Sequence, residues 1–217
     1  MAESLLKSSS GNRLDAILKA LSHASEMAKE HCDMPLSRMP EYFMAVHVAH
    51  YFARSFNSFG YRMEASVKET LVDAGVDDDE INALLENEQL RGNGRFDLVL
   101  RTGRRGVPAH VMEFKRGSRT AHLYKDLVRL AYVSRTVREG ARLETNYLIF
   151  TTKKSEDRLL AMLEAQQTEH HAQYPRARGR ISYALKRYQA ISHWAKDDAT
   201  REEKHMAIAI FEIKYKK

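Results

Sequence analysis

Three charged side chains near the middle of the chain have the types and spacing that metal-assisted cleavage of a phosphodiester would need. Asp97 lies in the run Gly94-Arg95-Phe96-Asp97-Leu98-Val99-Leu100, and Glu113 and Lys115 lie in the run His110-Val111-Met112-Glu113-Phe114-Lys115. Two carboxylates supply the oxygen ligands that Mg²⁺ prefers, and a lysine can offset negative charge on a phosphate. This chemistry requires that the two runs lie side by side.

A glycine-flanked turn joins the two runs, so they predict a β-hairpin. If the turn is centred on Arg105, Asp97 faces Glu113. Directly opposed side chains point to one face with Cβ atoms about 5 Å apart, and alternation along the strand adds Lys115 to that face. Opposed like charges are destabilising, so two facing carboxylates call for a cation, and Mg²⁺ suits them.

The same register pairs Val99 with Val111 and predicts that the other face of the hairpin is wholly apolar and packs on the core. Its members are Phe96, Leu98, Leu100, Met112 and Phe114. The alternative is an ordinary solvated strand face, on which acids and a lysine point to water. A second Glu-x-Lys, at Glu212 to Lys214, has no acid on an apolar partner strand, and we interpret it as the exposed face of an edge strand.

The pattern Gly-Arg-Phe-Asp-Leu-Val-Leu followed by Val-Met-Glu-Phe-Lys-Arg resembles the core motif of the PD-(D/E)XK nucleases, the restriction-endonuclease-like superfamily. The motif covers about residues 94–130, and a looser match in element order covers about 40–152. Phe96 replaces the proline of the family name. The resemblance implies that Asp97 and Glu113, with the main-chain carbonyl of Phe114, bind Mg²⁺, for which Mn²⁺ could substitute. It also implies that Lys115 is the catalytic lysine.

A further acid is expected at the metal site, because a helix before the sheet often contributes one in the resembled superfamily. Glu41 is the best candidate, in the first turn of an otherwise apolar helix. An acid is also favoured at that position by the helix dipole alone, without any metal. Glu64 competes with Glu41 if residues 61–71 form a strand.

Basic residues around the motif are candidates for contacts with a nucleic-acid backbone, because lysine and arginine neutralise phosphates. They are Arg104 and Arg105 in the turn, Arg116, Arg119 and Lys125 after the motif, and Arg176, Arg178 and Arg180 in a tract with several tyrosines. The alternative is a set of solvated loops and helix faces. Arg129, four residues after Lys125, could hold Glu113 or a phosphate, but a solvated face is slightly favoured for it.

Hydrophobic periodicity predicts the elements that must position these side chains. Helices are expected over 14–31, 41–56, 77–87, 121–138, 156–174 and 181–194, and strands over the two runs, 145–151 and 207–215. Residues 61–71 are ambiguous, with a strand favoured. This order predicts a three-layer α/β/α fold with a central mixed sheet, which the resemblance specifies as restriction-endonuclease-like. One domain is expected, with a helical extension over 1–38, a core over 40–152, and helices and a last strand over 153–217.

Composition is compatible with a polyanionic partner, although many ordinary proteins have a basic excess of this size. The net charge is +6 and the pI about 9.3, and the single cysteine, Cys32, excludes an internal disulfide and fits a reducing compartment. There is no long apolar run and no signal-peptide core, so a cytoplasmic protein without membrane contact is expected. The ten histidines are scattered without partners at zinc-site spacing, so no zinc is expected.

These features predict Mg²⁺-dependent hydrolysis of phosphodiester bonds, and the resemblance implies a deoxyribonuclease with DNA as its partner. A small single domain that cuts both strands must act as a homodimer or cut twice, and the residues do not distinguish the two. Two alternatives remain. The chain could be an inactive nuclease-like domain that binds DNA or a protein, or a basic adaptor whose motif is coincidental.

Overall fold

A computed structural model of the 217-residue chain describes residues 5–86, 93–103, 106–137, 141–173, 180–191 and 206–215. Its centre is a mixed six-stranded sheet with strand order β1-β2-β3-β4-β6-β5. The strands are β1 Phe59–Ser66, β2 Arg95–Thr102, β3 Pro108–Lys115, β4 Thr145–Thr152, β5 Ile181–Ile191 and β6 Met206–Tyr215. Only β3 and β4 pair in parallel among these strands, and the other pairs are antiparallel.

Helices cover both faces of the sheet. They are α1 Ser10–Cys32, α2 Glu41–Ser55, α3 Val67–Asp73, α4 Asp78–Leu85, α5 Thr120–Thr136 and α6 Glu156–Gln173. Alternation along β4 separates the two cores, since Tyr147 and Ile149 pack with α1 and α2, whereas Leu148 and Phe150 pack with α5 and α6. The prediction of an α/β protein with a central mixed sheet and helices on both faces is therefore confirmed.

Helix α5 is the crossover that the parallel pair β3–β4 requires. It begins five residues after Lys115, and it buries Asp126 and Arg129 among its apolar residues. Asp126 and Arg129 lie on the face of α5 that packs against the sheet, and they contact Lys115 and Glu113 at the end of β3. No helix within the described ranges is long and apolar enough to cross a membrane.

The hairpin forms with the predicted register. Leu98 pairs with Met112 and Val99 with Val111, and the register shifts only beyond Leu100. Continuing this register by one residue sets Asp97 opposite Glu113. The turn centre at Arg105 lies outside the described residues.

One detail of the hairpin prediction is wrong. Phe96 does not join the apolar face with Leu98, but packs in the core on the α5 side, together with Val99. Alternation is interrupted beside it, because the pairing of β1 with β2 skips Glu64 and Asp97, and Glu64 has a left-handed φ of 48°.

Three predicted elements need correction. The strand favoured over 61–71 ends at Ser66, whose side chain accepts a hydrogen bond from the Glu69 amide and so begins α3. The helix predicted over 181–194 is wrong for its described part, which is strand β5, where Ile181 and Tyr183 are buried at a period of two. Because β5 is the edge strand, β6 lies inside the sheet, and Glu212 is only 8% exposed.

Candidate metal and phosphate site

Asp97 lies where the β2–β3 ladder ends. Its Oδ2 accepts a hydrogen bond of 2.7 Å from the backbone N–H of Phe114 on β3. The carboxylate thus accepts a hydrogen bond from a backbone N–H that would otherwise lack a partner at the end of the strand pair. This bond fixes the carboxylate beside Glu113, and Asp97 remains half-buried, within reach of solvent.

Glu113 is buried, with 2% of its surface exposed. Its Oε1 accepts a hydrogen bond of 2.9 Å from Arg129 Nη1, while Nη2 of the same arginine donates to the Arg95 carbonyl at 2.9 Å. The Arg129 guanidinium also stacks 4.5 Å from the centre of the Phe96 ring. Arg129 therefore holds Glu113 in one orientation, and the displaced position of Phe96 forms part of that support.

The charge state of Glu113 depends on its surroundings. Burial, and after it the nearby charge of Asp97, hold the pKa of Glu113 well above its ordinary value of 4.5, although Arg129 acts in the opposite direction. A carboxyl group in this position takes up a proton more readily than one in water. A divalent cation between Asp97 and Glu113 would compete with that proton.

Lys115 is the centre of a second set of contacts, with its side chain 20% exposed. Its Nζ lies 3.4 Å from Asp126 Oδ2 and 3.6 Å from Glu41 Oε2, and it donates to the Phe114 carbonyl at 2.9 Å. Burial alone would lower the pKa of Lys115, but the charges of Asp126, Glu113, Asp97 and Glu41 outweigh burial and raise it. The side chain is therefore an ammonium ion and not a base.

Glu41 reaches the site from α2, on the opposite face of the sheet from α5. Its Oε1 accepts a hydrogen bond of 3.1 Å from the Arg116 amide, and its Oε2 faces Lys115. Glu41 thus joins the helix N-terminus to the end of β3. The competing candidate Glu64 is exposed, at the irregular position of β1.

Six charged groups meet at this edge of the sheet. Four are carboxylates and two are cations, so their formal charge is −2 when all are ionised; they are Glu41, Asp97, Glu113, Asp126, Lys115 and Arg129. Buried negative charge in excess favours binding of a cation. This excess arises in part from Asp126, which the sequence interpretation did not place in the site.

The oxygen atoms at this site could supply part of the coordination shell of a hard divalent ion. Within the described part of the chain, Asp97 Oδ1 and Glu113 Oε2 make no hydrogen bond, and the Phe114 carbonyl has a second lone pair beside the one used by Lys115. No group of three or more acid, histidine or cysteine side chains gathers around one point in the described residues. Two carboxylates and one carbonyl could therefore bind the ion, and water molecules would complete its coordination.

The basic residues that the sequence predicts as nucleic-acid contacts are more widely spaced than the six charged groups at the end of β3. Arg116, Arg119, Lys125 and Arg180 are exposed, the first two in the loop that leads from Lys115 to α5. The Arg116 carbonyl accepts a hydrogen bond of 2.8 Å from Thr151 Oγ1, which ties this loop to β4. Arg104, Arg105, Arg176 and Arg178 lie outside the described residues.

Asp126 is a site residue that the sequence interpretation missed, and Arg129 takes the less favoured of its two predicted roles, contact with Glu113. A solvated face was favoured for Arg129, but the residue is buried and bound to Glu113. The available signal was their position in α5, three residues apart among Leu123, Leu127 and Leu130. Charged residues on the apolar face of a helix are rarely buried unless they are paired.

Comparisons with known proteins identify no relative of the chain. No protein-family model, curated protein or solved structure matches the chain.

Proposed function

We propose that the chain is a metal-dependent nuclease that hydrolyses phosphodiester bonds in DNA. The observation that carries the proposal is the meeting of Asp97, Glu113 and Lys115 at the end of one strand pair, in a cluster with excess negative charge. The resemblance of the motif to that of the PD-(D/E)XK nucleases supports the same activity. We extend the proposal to a restriction-endonuclease-like arrangement of the sheet and its helices.

Asp97, Glu113 and the Phe114 carbonyl would hold Mg²⁺. When bound, such an ion acts as a Lewis acid on the phosphate and lowers the pKa of a water molecule. The chain's own contribution is to fix both carboxylates, Asp97 through the Phe114 amide and Glu113 through Arg129. Rigid carboxylates reduce the reorganisation needed when substrate binds.

Lys115 supplies positive charge for the phosphate. Its pKa is raised in spite of burial, so it stays protonated near neutral pH and is suited to stabilise a developing negative charge. Asp126 and Glu41 hold the ammonium group from two sides. Arg116 and Arg119 are exposed in the loop that follows Lys115, and in this proposal they contact the neighbouring phosphates of a bound strand.

A cleavage panel tests the proposal. Linear duplex, supercoiled plasmid, branched and single-stranded DNA, and RNA, are incubated with the full chain in Mg²⁺, in Mn²⁺ or in EDTA. We expect cleavage of at least one DNA form that requires metal and is lost in Asp97→Ala and Lys115→Ala. Absence of metal-dependent cleavage of every substrate would overturn the enzyme proposal. Tight binding without cleavage would identify instead an inactive nuclease-like module.

A further inference from the structure

Two loops leave the sheet side by side next to Lys115. One is residues 116–119, which connect β3 to α5, and the other is residues 153–155, which connect β4 to α6. Strands β3 and β4 are parallel neighbours in which Lys115 pairs with Phe150, so both loops begin at the same edge of the sheet. We refer to the two loops together as the basic loops.

Side-chain hydrogen bonds hold the basic loops together. Thr151 Oγ1, at the end of β4, donates a hydrogen bond of 2.8 Å to the Arg116 carbonyl. Lys154 Nζ donates to the Ser118 carbonyl, and the Lys154 carbonyl accepts a hydrogen bond of 3.0 Å from the Tyr188 hydroxyl on β5. The two loops therefore form one surface and not two independent segments.

The basic loops are strongly charged. Their seven residues include four cations and no acid. Three of the cations are exposed and the last is partly exposed; they are Arg116, Arg119, Lys153 and Lys154. If the flanking residues are included, so that 116–125 and 151–158 are counted, six cations and two acids leave a formal charge of +4, against +6 for the whole chain. Clustered cations repel one another, so this surface favours a polyanionic partner.

The basic loops are close to the proposed cleavage site. Arg116 directly follows Lys115, and Lys153 is three residues beyond Phe150, the strand partner of Lys115. Strand spacing and chain length together place the Lys153 Cα at most about 16 Å from that of Lys115. One strand of duplex DNA carries no more than about five phosphates over this distance. The loops can therefore reach phosphates that directly neighbour the one held at Lys115.

We infer that the basic loops bind the sugar–phosphate backbone of the substrate strand, on the β4 side of the scissile phosphate. Lys153 and Arg119 contact phosphates, and Lys154 is a positioning residue, because it holds the first loop through Ser118. Phosphate contacts carry no direct sequence information, so this part of the binding is the same for any base sequence. The inference rests on the proposed function, because it takes the DNA strand cut near Lys115 as the ligand.

The salt dependence of DNA binding in EDTA tests the inference without cleavage. The probes are fluorescein-labelled duplexes of about 20 base pairs in two unrelated sequences, titrated with the full chain from about 50 to 200 mM NaCl and followed by anisotropy. Each phosphate contact contributes about 0.9 to the slope of log affinity against log salt. Lys153→Gln should reduce the slope by about 0.9 for both sequences, which is about eightfold weaker binding at 0.1 M salt if the affinity at 1 M is unchanged.

The chain offers a matched control for the lost charge. Lys214 is also exposed, but it pairs with Thr145, where β4 begins, so it lies at the opposite edge of the sheet from the basic loops. Lys214→Gln should leave the slope unchanged. Combining Arg119→Gln with Lys153→Gln should reduce the slope by about 1.8, or about sixtyfold in affinity at 0.1 M salt. All three side chains are exposed, so the melting temperatures should stay within about 2 °C of the wild type.

The outcomes separate this inference from the proposed function. Equal loss of slope in Lys153→Gln and Lys214→Gln would overturn the surface, because net charge alone would then control binding. Polyglutamate that binds as tightly as DNA, and that also depends on Lys153, would overturn it in favour of an acidic polypeptide. Metal-dependent cleavage in either case would leave the nuclease proposal standing. A slope that only the loop variants reduce, in a chain that cuts nothing in Mg²⁺ or Mn²⁺, would support the DNA surface and overturn the nuclease.

Discussion

Two Glu-x-Lys tripeptides of the chain, 113–115 and 212–214, lie on interior strands of one sheet. Glu113 on β3 and Glu212 on β6 are both largely buried, 2% and 8% exposed. Each also contacts a cation from another element, Arg129 at 2.9 Å and Lys186 at 3.4 Å. By sequence pattern, burial and pairing the two glutamates are nearly equivalent.

Their surroundings differ. Glu113 is close to the charges of Asp97 and Asp126, and Lys115 of the same tripeptide turns into that cluster. Glu212 instead accepts a hydrogen bond of 3.2 Å from the Ser10 hydroxyl, and Lys214 is exposed to solvent. The comparison shows that neighbouring acids, and not the tripeptide itself, distinguish the surroundings of Glu113 from those of Glu212.

The largest expected difference between the two tripeptides is in cleavage. Lys115→Met should lower the cleavage rate about 10³-fold, because it removes a positive charge placed for the phosphate. Lys214→Met removes an exposed lysine from the second tripeptide and should leave the rate unchanged within about twofold. Initial rates on the best substrate of the panel provide the measurement. Equal losses in the two variants would mean that net charge, and not the site, controls activity.

The next largest difference is in folding stability. Arg129→Met leaves Glu113 without its buried partner and should lower the free energy of unfolding by about 3–5 kcal/mol. Lys186→Met should lower it by about 1 kcal/mol or less, because Lys186 is partly exposed and its attraction to Glu212 is screened. Urea denaturation in EDTA measures both.

A double variant checks the cause of that loss. Adding Glu113→Leu to Arg129→Met removes the unpaired carboxyl group and should recover much of the lost stability. If the double variant is no more stable than Arg129→Met alone, the loss arises from packing on Phe96 rather than from the charge of Glu113.

The third difference is in pH dependence. Since the pKa of Glu113 is raised on folding, the folded chain keeps a proton that the unfolded chain loses above about pH 4.5. The stability contributed by this group is complete below pH 4.5 and is lost as pH rises through the folded pKa, with a slope of at most about 1.4 kcal/mol per pH unit. Denaturation in EDTA from pH 4 to 8 should show this fall.

Glu113→Gln should flatten that profile. In the same pH range Mg²⁺ should bind more tightly as pH rises, because binding displaces the proton from Glu113. Calorimetric titrations at three pH values measure this. A metal affinity that is independent of pH would place the ion elsewhere.

The contrast also shows what could be predicted from sequence. The hairpin register follows from a short, local spacing, and that spacing is enough to set Asp97 opposite Glu113 with Lys115 on the same face. Asp126 and Arg129 are harder to assign, because periodicity places them beside the apolar face of α5 but only the docking of that face on the sheet decides which charged groups they contact. The misassigned helix at residues 181–191 has the same origin, since its apolar alternation is completed by pairing with β6.

The smallest expected effect concerns Glu41, for which the sequence leaves open whether it binds the metal ion. Glu41→Gln keeps an oxygen that can accept the Arg116 amide, but it loses the ion pair with Lys115. A positioning residue for Lys115 should therefore give about a threefold to tenfold lower turnover, which is about 1 kcal/mol, with little change in the Mg²⁺ concentration needed for half-maximal rate. Glu64→Gln serves as the control at the exposed alternative position.

The Mg²⁺ dependence decides between the two roles of Glu41. A carboxylate that binds the ion directly supplies charge to it, so its replacement by an amide should raise the half-maximal Mg²⁺ concentration by about tenfold or more. That result would make Glu41 a ligand and would require Lys115 to leave it when the ion binds. An unchanged requirement with a lower turnover would assign Glu41 to Lys115. Exposed Lys214 has no such ion pair among the residues that the structure describes.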